Sequence, residues 1–249
     1  MDGHTIITGG GTGLGHAAAE ALAPTHALSL IGRRQAVVDA AAAHLPRAVG
    51  LSADVTDEPA LAHAFATAKT QNGPVTGLVA AAGIAATAPL ERTDTAFLRR
   101  LLAVNVEGVL ATIRLALPDM LAAGNGRIVV IASTASLKGY AYAGAYAASK
   151  HAVLGLVRSL ALEMATKGIT VNAVCPGFAD TEMTAKSIQN IVESTGRSES
   201  DARNVLAKTN PMGRLVAPSE VGDAVRWLFG PGASSITGQA IAVAGGEVM

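Results

Sequence analysis

A short apolar run, His4 to Thr8, meets a glycine turn, T-G-G-G-T-G-L-G at Thr8 to Gly15, which opens into the helical stretch A-A-A-E-A-L-A. That strand–turn–helix order, and its recurrence down the chain, constrains the fold more than any other feature. Ala27 to Ile31 precedes a helical pattern at Gln35 to Leu45, Ala48 to Leu51 precedes Pro59 to Lys69, and Gly77 to Ala80 precedes Asp94 to Ala122. Strands separated by helices cannot close as hairpins and must run parallel, with helices on both faces. Arg127 to Ala132 (R-I-V-V-I-A) is a β-branched run suited to a strand buried on both sides. Ile169 to Val174 and Ala240 to Val243 bring the strands to seven, with a last helix at Ser219 to Phe229 between them. The prediction is an α/β fold, a doubly wound seven-stranded parallel sheet flanked by helices, with residues 1–249 forming one domain. Pro118 should end or bend the helix in which it lies.

Ligands of such sheets bind outside the carboxyl ends of the strands, and polar residues collect there in this sequence. A helix that follows a glycine turn offers backbone N–H groups and a dipole to a diphosphate. The spacing here is T-G-x-x-x-G-x-G, on Gly9, Gly13 and Gly15 with Leu14 between the last two. After the second strand, a group that reads an adenosine ribose is expected. An acidic residue there would suit a 2′-hydroxyl, but the chain has Gly32-Arg33-Arg34, and a guanidinium suits a 2′-phosphate. NADP(H) is therefore favoured, with NAD(H) possible. Asp54, after the third strand, suits either an adenine amino group or a loop bond of its own.

Ser133 ends the fifth strand, and Tyr146 and Lys150 follow four apart, on one helix face. Tyr-x-x-x-Lys alone is an ordinary helical pair. Its chemical interest is that an ammonium within about 4 Å of a phenol, at an effective dielectric near 20, contributes roughly 4 kcal/mol, or about three pKa units. Lys150 would then bring Tyr146 toward neutrality, where a general acid/base works best, although burial opposes that shift. Asn105, amid L-L-A-V-N-V, needs hydrogen-bond partners if buried, whether structural or catalytic. Cys175 reads as a small buried hydrophobe beside the rigid turn Pro176-Gly177. From Thr181 to Leu215 the pattern is least regular, with Ile188, Ile191 and Val192 on one face and Ser198 with Asp201 able to cap a helix at Glu199 to Lys208. This polar excursion, carrying Lys186, Arg197, Arg203 and Lys208, suits a substrate lid.

Composition excludes several classes. Of 249 residues half are hydrophobic and 15% are charged, with zero formal net charge, so neither a nucleic-acid partner nor an anionic membrane surface is indicated. A single cysteine precludes an internal disulfide and fits a reducing, cytoplasmic setting. The N-terminal residues lack the pattern of a signal peptide, no apolar stretch reads as long and uninterrupted enough to span a bilayer, and no metal is expected.

Taken in order, Thr8-Gly9-x-x-x-Gly13-x-Gly15, Asn105, Ser133, Tyr146-x-x-x-Lys150 and Pro176-Gly177 resemble the short-chain dehydrogenase/reductase family over essentially the whole chain. The resemblance implies a single Rossmann-type domain, a nicotinamide dinucleotide and a homotetramer. It implies Tyr146 as general acid/base on the substrate oxygen, Ser133 holding that oxygen, Lys150 binding the nicotinamide ribose and lowering the tyrosine pKa, and Asn105 placing a relay water. Gly9, Gly13, Leu14, Gly15, Arg33, Asp54, Val55, Gly83, Pro176, Gly177 and Thr181 would line the cofactor with Tyr146 and Lys150. One departure is Ala80-Ala81-Ala82-Gly83, where the family commonly shows paired asparagines. Pro211 to Leu215, the lid, and the ending I-T-G-Q-A-I-A-V-A-G-G-E-V-M resemble members acting on 3-oxoacyl and 3-hydroxyacyl thioesters. A reductase of alicyclic or steroid-like ketones is the enzymatic alternative, and a nucleotide-sensing regulator the non-catalytic one.

Overall fold

The computed structural model describes residues 3–249. Seven strands form one parallel sheet in the order β3-β2-β1-β4-β5-β6-β7. They are β1 (Gly3–Thr8), β2 (His26–Gly32), β3 (Ala48–Ser52), β4 (Val75–Ala80), β5 (Gly126–Ile131), β6 (Ile169–Pro176) and β7 (Ala240–Val243). The strand order reverses between β1 and β4, which opens the crevice where this architecture binds ligands. β6 is buried along its whole length, which is why its sequence shows no alternation.

Helices cover both faces. α1 (Gly13–Leu22), α2 (Gln35–Ala43) and α9 (Pro218–Phe229) pack Leu22, Val38, Val225 and Leu228 against Ile7, Leu30 and Val79. α3 (Glu58–Asn72), α5 (Gly108–Ala123) and α6 (Gly144–Met164) pack Leu61, Phe65, Ile113, Met120 and Val157 against Ile6, Leu78, Ile128 and Val171. Caps account for several starts. Asp57 accepts from the Ala60 amide at 3.0 Å with Pro59 in the first turn, and Asp94 from the Phe97 amide at 2.7 Å.

The expected helix from Asp94 to Ala122 differs in two respects. It divides into α4 (Thr95–Leu102), a π-helical turn (Ala103–Glu107) and α5. Pro118 does not end α5, which runs on to Ala123 and closes at Gly124, φ +60°. By length and composition the run Thr95–Ala123 is also apolar enough to cross a bilayer, contrary to the sequence expectation. Its Leu101, Val109, Ile113, Ala116 and Met120 are buried in the core, so it is a core helix.

The irregular stretch after β6 holds α7 (Glu182–Thr195) and α8 (Glu199–Ala207), with Ile188, Ala202, Leu206 and Leu215 in a small core of their own. Ser198 caps α8 as expected, accepting from the Asp201 amide at 3.1 Å. Both ends of the excursion are pinned together: Val216 N donates to Phe178 O at 2.9 Å and Asp180 N to Val216 O at 2.9 Å.

Candidate active site

The first glycine turn has no room for side chains. A Cβ on Gly9, whose φ is +69°, would lie 2.8 Å from the Ala82 amide nitrogen, and one on Gly15 would collide with the Gly9 carbonyl. Gly13, φ +55°, begins α1 and faces the Thr181 side chain, which caps α7 across the turn. Backbone N–H groups, a helix N-terminus and a close strand–helix approach are thus assembled at the C-terminal edge of β1, an arrangement that fits a dinucleotide diphosphate. Leu14 packs into the core beside this turn.

Arg33 is exposed just past β2, where its carbonyl accepts from Ser52 Oγ at 3.1 Å. Asp54 Oδ1 accepts from Thr56 N at 3.0 Å and Thr56 Oγ1 at 2.8 Å. Burial alone would raise the Asp54 pKa, but the Thr56 bonds and the nearby Arg33 charge hold it below the usual range. Of the two roles expected for Asp54, the structure displays the loop bond. The Val55 side chain points into the core against Gly108.

Asn105 lies in the π-helical turn, 1% exposed. Its Oδ1 accepts from Ile84 N at 2.9 Å, and its Nδ2 donates to Ile84 O at 3.0 Å and Ser149 Oγ at 3.0 Å. The amide therefore ties the segment after β4 to α6. A π turn carries one extra residue per turn, which rotates Asn105 inward relative to the regular helix that the sequence suggested. A Cβ on Gly83 would sit 3.3 Å from Asn105 Oδ1 and 3.7 Å from Lys150 Nζ, so Gly83, Asn105 and Lys150 are brought together.

Ser133 follows β5 and accepts from Ala135 N at 3.0 Å, capping a short 3-10 turn. Tyr146 and Lys150 leave one face of α6 toward it. The Tyr146 pKa is raised, chiefly by burial; a Ser133 hydrogen bond opposes the rise. Lys150, 7% exposed, donates to Ile131 O at 3.0 Å, and burial lowers its pKa to about 8. In the free protein the burial that raises the Tyr146 pKa opposes the lowering expected from Lys150. Its Nζ is 6.0 Å from the Tyr146 ring centroid and bound to a carbonyl, so desolvation governs both groups. Beneath them lies Cys175, fully buried, whose thiol burial pushes up to about 11: the inert hydrophobe expected. Pro176 ends β6 in register with Val243, and Gly177 N donates to Val243 O at 3.1 Å.

The excursion that holds α7 and α8 is less cationic than its composition suggests. Arg203 bonds Asp180 at 2.6 Å, and Arg214 forms a two-pronged pair with Glu220 at 2.7 Å. Three participants escaped sequence reading. Ser149 is the hidden partner of Asn105, and Tyr140 and Glu247 join across 107 residues at 2.5 Å. Only the paired glycines before Glu247 hinted at a shaped turn there.

A parallel sheet with a glycine turn after its first strand, and a serine, a tyrosine and a lysine at the ends of β5 and α6, defines a nucleotide-dependent oxidoreductase scaffold. Residues 9–247 match the family model described as enoyl-(acyl carrier protein) reductase. The chain is 37% identical over 246 residues to cis-4-hydroxycyclohexanecarboxylate dehydrogenase of Sinomonas cyclohexanicum, covering 97% of this chain and 94% of that one. It is 40% identical over 200 residues to a putative ketoacyl reductase of Streptomyces coelicolor, covering 79% and 76%. A crystal structure of an actinorhodin polyketide ketoreductase variant with NADPH matches with TM-score 0.95 at 33% identity, covering 99% and 97%. The chain belongs to the short-chain dehydrogenase/reductase family, NAD(P)-dependent oxidoreductases acting on CH–OH groups and ketones.

Proposed function

We propose that this enzyme moves a hydride between NADP(H) and the 3-oxo or 3-hydroxy group of an acyl thioester. The observation that carries the reading is the convergence of Ser133, Tyr146 and Lys150 at the strand ends beside a turn in which Gly9 and Gly15 admit no side chain. In reduction, the cofactor supplies the hydride to the carbonyl carbon. The Tyr146 hydroxyl gives its proton to the carbonyl oxygen, and the Ser133 hydroxyl donates to that oxygen and fixes its angle. The Ser133 hydrogen bond opposes the rise that burial imposes on the Tyr146 pKa and so favours proton release in this step. Lys150, buried next to Gly83, holds the nicotinamide ribose, and Asn105 keeps the β4 end and α6 at the right separation for a relay water.

Gly9, Gly13, Leu14 and Gly15 receive the diphosphate, with Thr181 closing over it. Asp54, Val55, Gly83, Pro176 and Gly177 line the remainder. Arg33, exposed after Gly32, reads the 2′-phosphate, so NADPH is preferred to NADH. Residues 181–215 act as the substrate lid, hinged where Ala179 pairs with Val216. Support for a thioester comes from the acyl-carrier chemistry named in the family model and from the ketoacyl reductase relative. Exposed Leu110 and Leu121 on α5 and Leu162 on α6 suit helix-to-helix contacts in a homotetramer, and the lone buried cysteine suits the cytoplasm.

A second reading, an alicyclic ketone or secondary alcohol, is favoured by the cyclohexanecarboxylate dehydrogenase relative and by the engagement of Arg203 with Asp180, which removes one cation from phosphate binding. Absorbance of the reduced nicotinamide, followed with acetoacetyl-CoA and with 4-oxocyclohexanecarboxylate, separates them. A kcat/KM at least tenfold higher for the thioester is expected, and the reverse ratio would transfer the assignment to the ring ketone. Tyr146→Phe should retain cofactor binding and lose at least about a hundredfold in turnover; activity near the parent's would remove Tyr146 from the chemistry.

A further inference from the structure

Glu247 is a carboxylate with 1% side-chain exposure, close to the substrate-side loop. The turn that delivers it uses Gly245 at φ +59° and Gly246 at φ +92°, with Glu247 N donating to Ala244 O at 3.2 Å. Gly245 lies against Asn210 and Gly246 against Pro211, at the base of the excursion that holds α7 and α8. A side chain on Gly245 would overlap the Asn210 amide, so this turn admits no ordinary residue there.

The carboxylate has a chain of partners. Tyr140 Oη is 2.5 Å from Glu247 Oε1 and 2.6 Å from Thr134 Oγ1. A carboxylate only accepts, so the phenol donates to Glu247 and takes the Thr134 hydrogen. This bond and burial hold the phenol well above its ordinary pKa. Lys138 Nζ closes the cluster at 3.3 Å from Glu247 Oε1 and 4.9 Å from the Tyr140 ring centroid. Tyr140 stands edge-to-face with Phe178, centroids 6.5 Å apart, where the chain leaves β6. Glu247 Oε2 makes no hydrogen bond and faces Gly177, where a Cβ would lie 2.8 Å away. Three segments therefore meet on one buried charge: the loop that starts at Ser133, the turn after β6, and the segment after β7.

We propose that Glu247 is a positioning residue that, through Tyr140 and Thr134, fixes the loop carrying Ser133 and thereby sets the Ser133 hydroxyl against the substrate oxygen. Thr134 opens the short turn that Ser133 caps, with Ala135 N donating to Ser133 Oγ at 3.0 Å, so a shift of Thr134 moves the turn that holds Ser133 Oγ. Tyr140 joins the loop after Ser133 to the segment after β7 through Thr134 and Glu247 and stands against Phe178 after β6, so the loop is held from more than one side. The inference deepens the proposed oxidoreductase reading and rests on it.

The test is a double-mutant cycle on Tyr140→Phe and Glu247→Gln, with cofactor binding read by nicotinamide fluorescence and folding by thermal unfolding. A displacement near 1 Å at a reacting group costs on the order of 100-fold. Each single variant should lose about 10- to 100-fold in kcat with a smaller change in KM, and the double variant should be no worse than the poorer single. Glu247→Asp should recover part of the loss. In alcohol oxidation the pH midpoint of kcat should move up in both variants, because Ser133 no longer favours the Tyr146 phenolate; Lys150, lowered to about 8, and Cys175, raised to about 11, face the same ring, so the midpoint belongs to that group of residues. If Glu247→Gln fails to fold, Tyr140→Phe, which keeps the buried ring, carries the measurement alone. Parental kcat and an unmoved midpoint in Tyr140→Phe overturn the positioning role. A parent protein that binds nicotinamide and turns over no ketone would instead overturn the oxidoreductase reading beneath it.

Discussion

Asn105→Ala would remove the side chain that the fold uses to join two elements across the site. Asn105 is buried with three hydrogen bonds at 2.9–3.0 Å, two to the backbone of Ile84 and one to Ser149. Truncation leaves the Ile84 N–H and C=O without those partners, while Ser149 keeps its bond to Tyr146 O at 2.7 Å. Ile84 is only partly buried, so the two unpaired groups lie toward the low end of about 1–3 kcal/mol each, roughly 2–3 kcal/mol together. Taking about 3 kcal/mol, and a urea slope of about 2–3 kcal/mol/M, the unfolding midpoint should fall by roughly 1–1.5 M. Circular dichroism follows the helices, and the single tryptophan, Trp227 in α9, reports independently from the opposite face. Asn105→Asp retains the acceptor for Ile84 N and loses the donor, and should fall between parent and alanine. A midpoint within about 0.2 M of the parent for Asn105→Ala would refute the claim that this amide holds the β4 end to α6.

Arg33→Ala should weaken NADPH by at least tenfold while leaving NADH within about twofold, measured by fluorescence titration; equal losses would remove Arg33 from the 2′-phosphate. A pH effect on stability follows from His4, whose Nδ1 lies 2.7 Å from Gly73 O and whose Nε2 lies 2.9 Å from Ser29 Oγ. Burial lowers its pKa from 6.5, against the Gly73 bond and the Asp119 charge, with Lys69 paired to Asp119 nearby. The unfolded chain then binds a proton that the folded chain refuses, so the stability contributed above pH 6.5 is lost as pH falls below it, by at most about 1.4 kcal/mol per pH unit. Urea midpoints at pH 7.5, 6.5 and 5.5 should decline for the parent and decline less for His4→Gln; parallel declines would exclude His4 as the cause.

The sheet was legible because its buried strands and intervening helices repeat over short distances, and strand positions such as Ile6, Val129 and Val171 need no knowledge of distant partners. The nearness of three candidate site residues was legible for the same reason: Tyr146 and Lys150 share one helix face, and Ser133 follows a strand. What escaped were effects that depend on three dimensions. The influence of Lys150 on Tyr146 competes with burial, which shifts both groups and has no local signature in the sequence. Pro118 carries a breaker's signature, but tertiary packing of Ile113, Ala116 and Met120 carries the helix through it. Asn105 was seen as needing partners, but the π turn that aims it was not. Glu247, more than 100 residues from Tyr140, has no local signature to find.

The reversal of strand order between β1 and β4 divides the labour of the site in space. In the roles proposed above, recognition of the nucleotide's phosphorylated end would belong to the β2–α2 junction at Gly32-Arg33-Arg34, and proton handling to β5 and α6 on the far side of the crevice. Changes at the first place can alter which electron pool the enzyme draws on without retuning the second. A lineage built on this scaffold can therefore exchange coenzyme or carbon skeleton one at a time, each drift leaving the other inheritance whole.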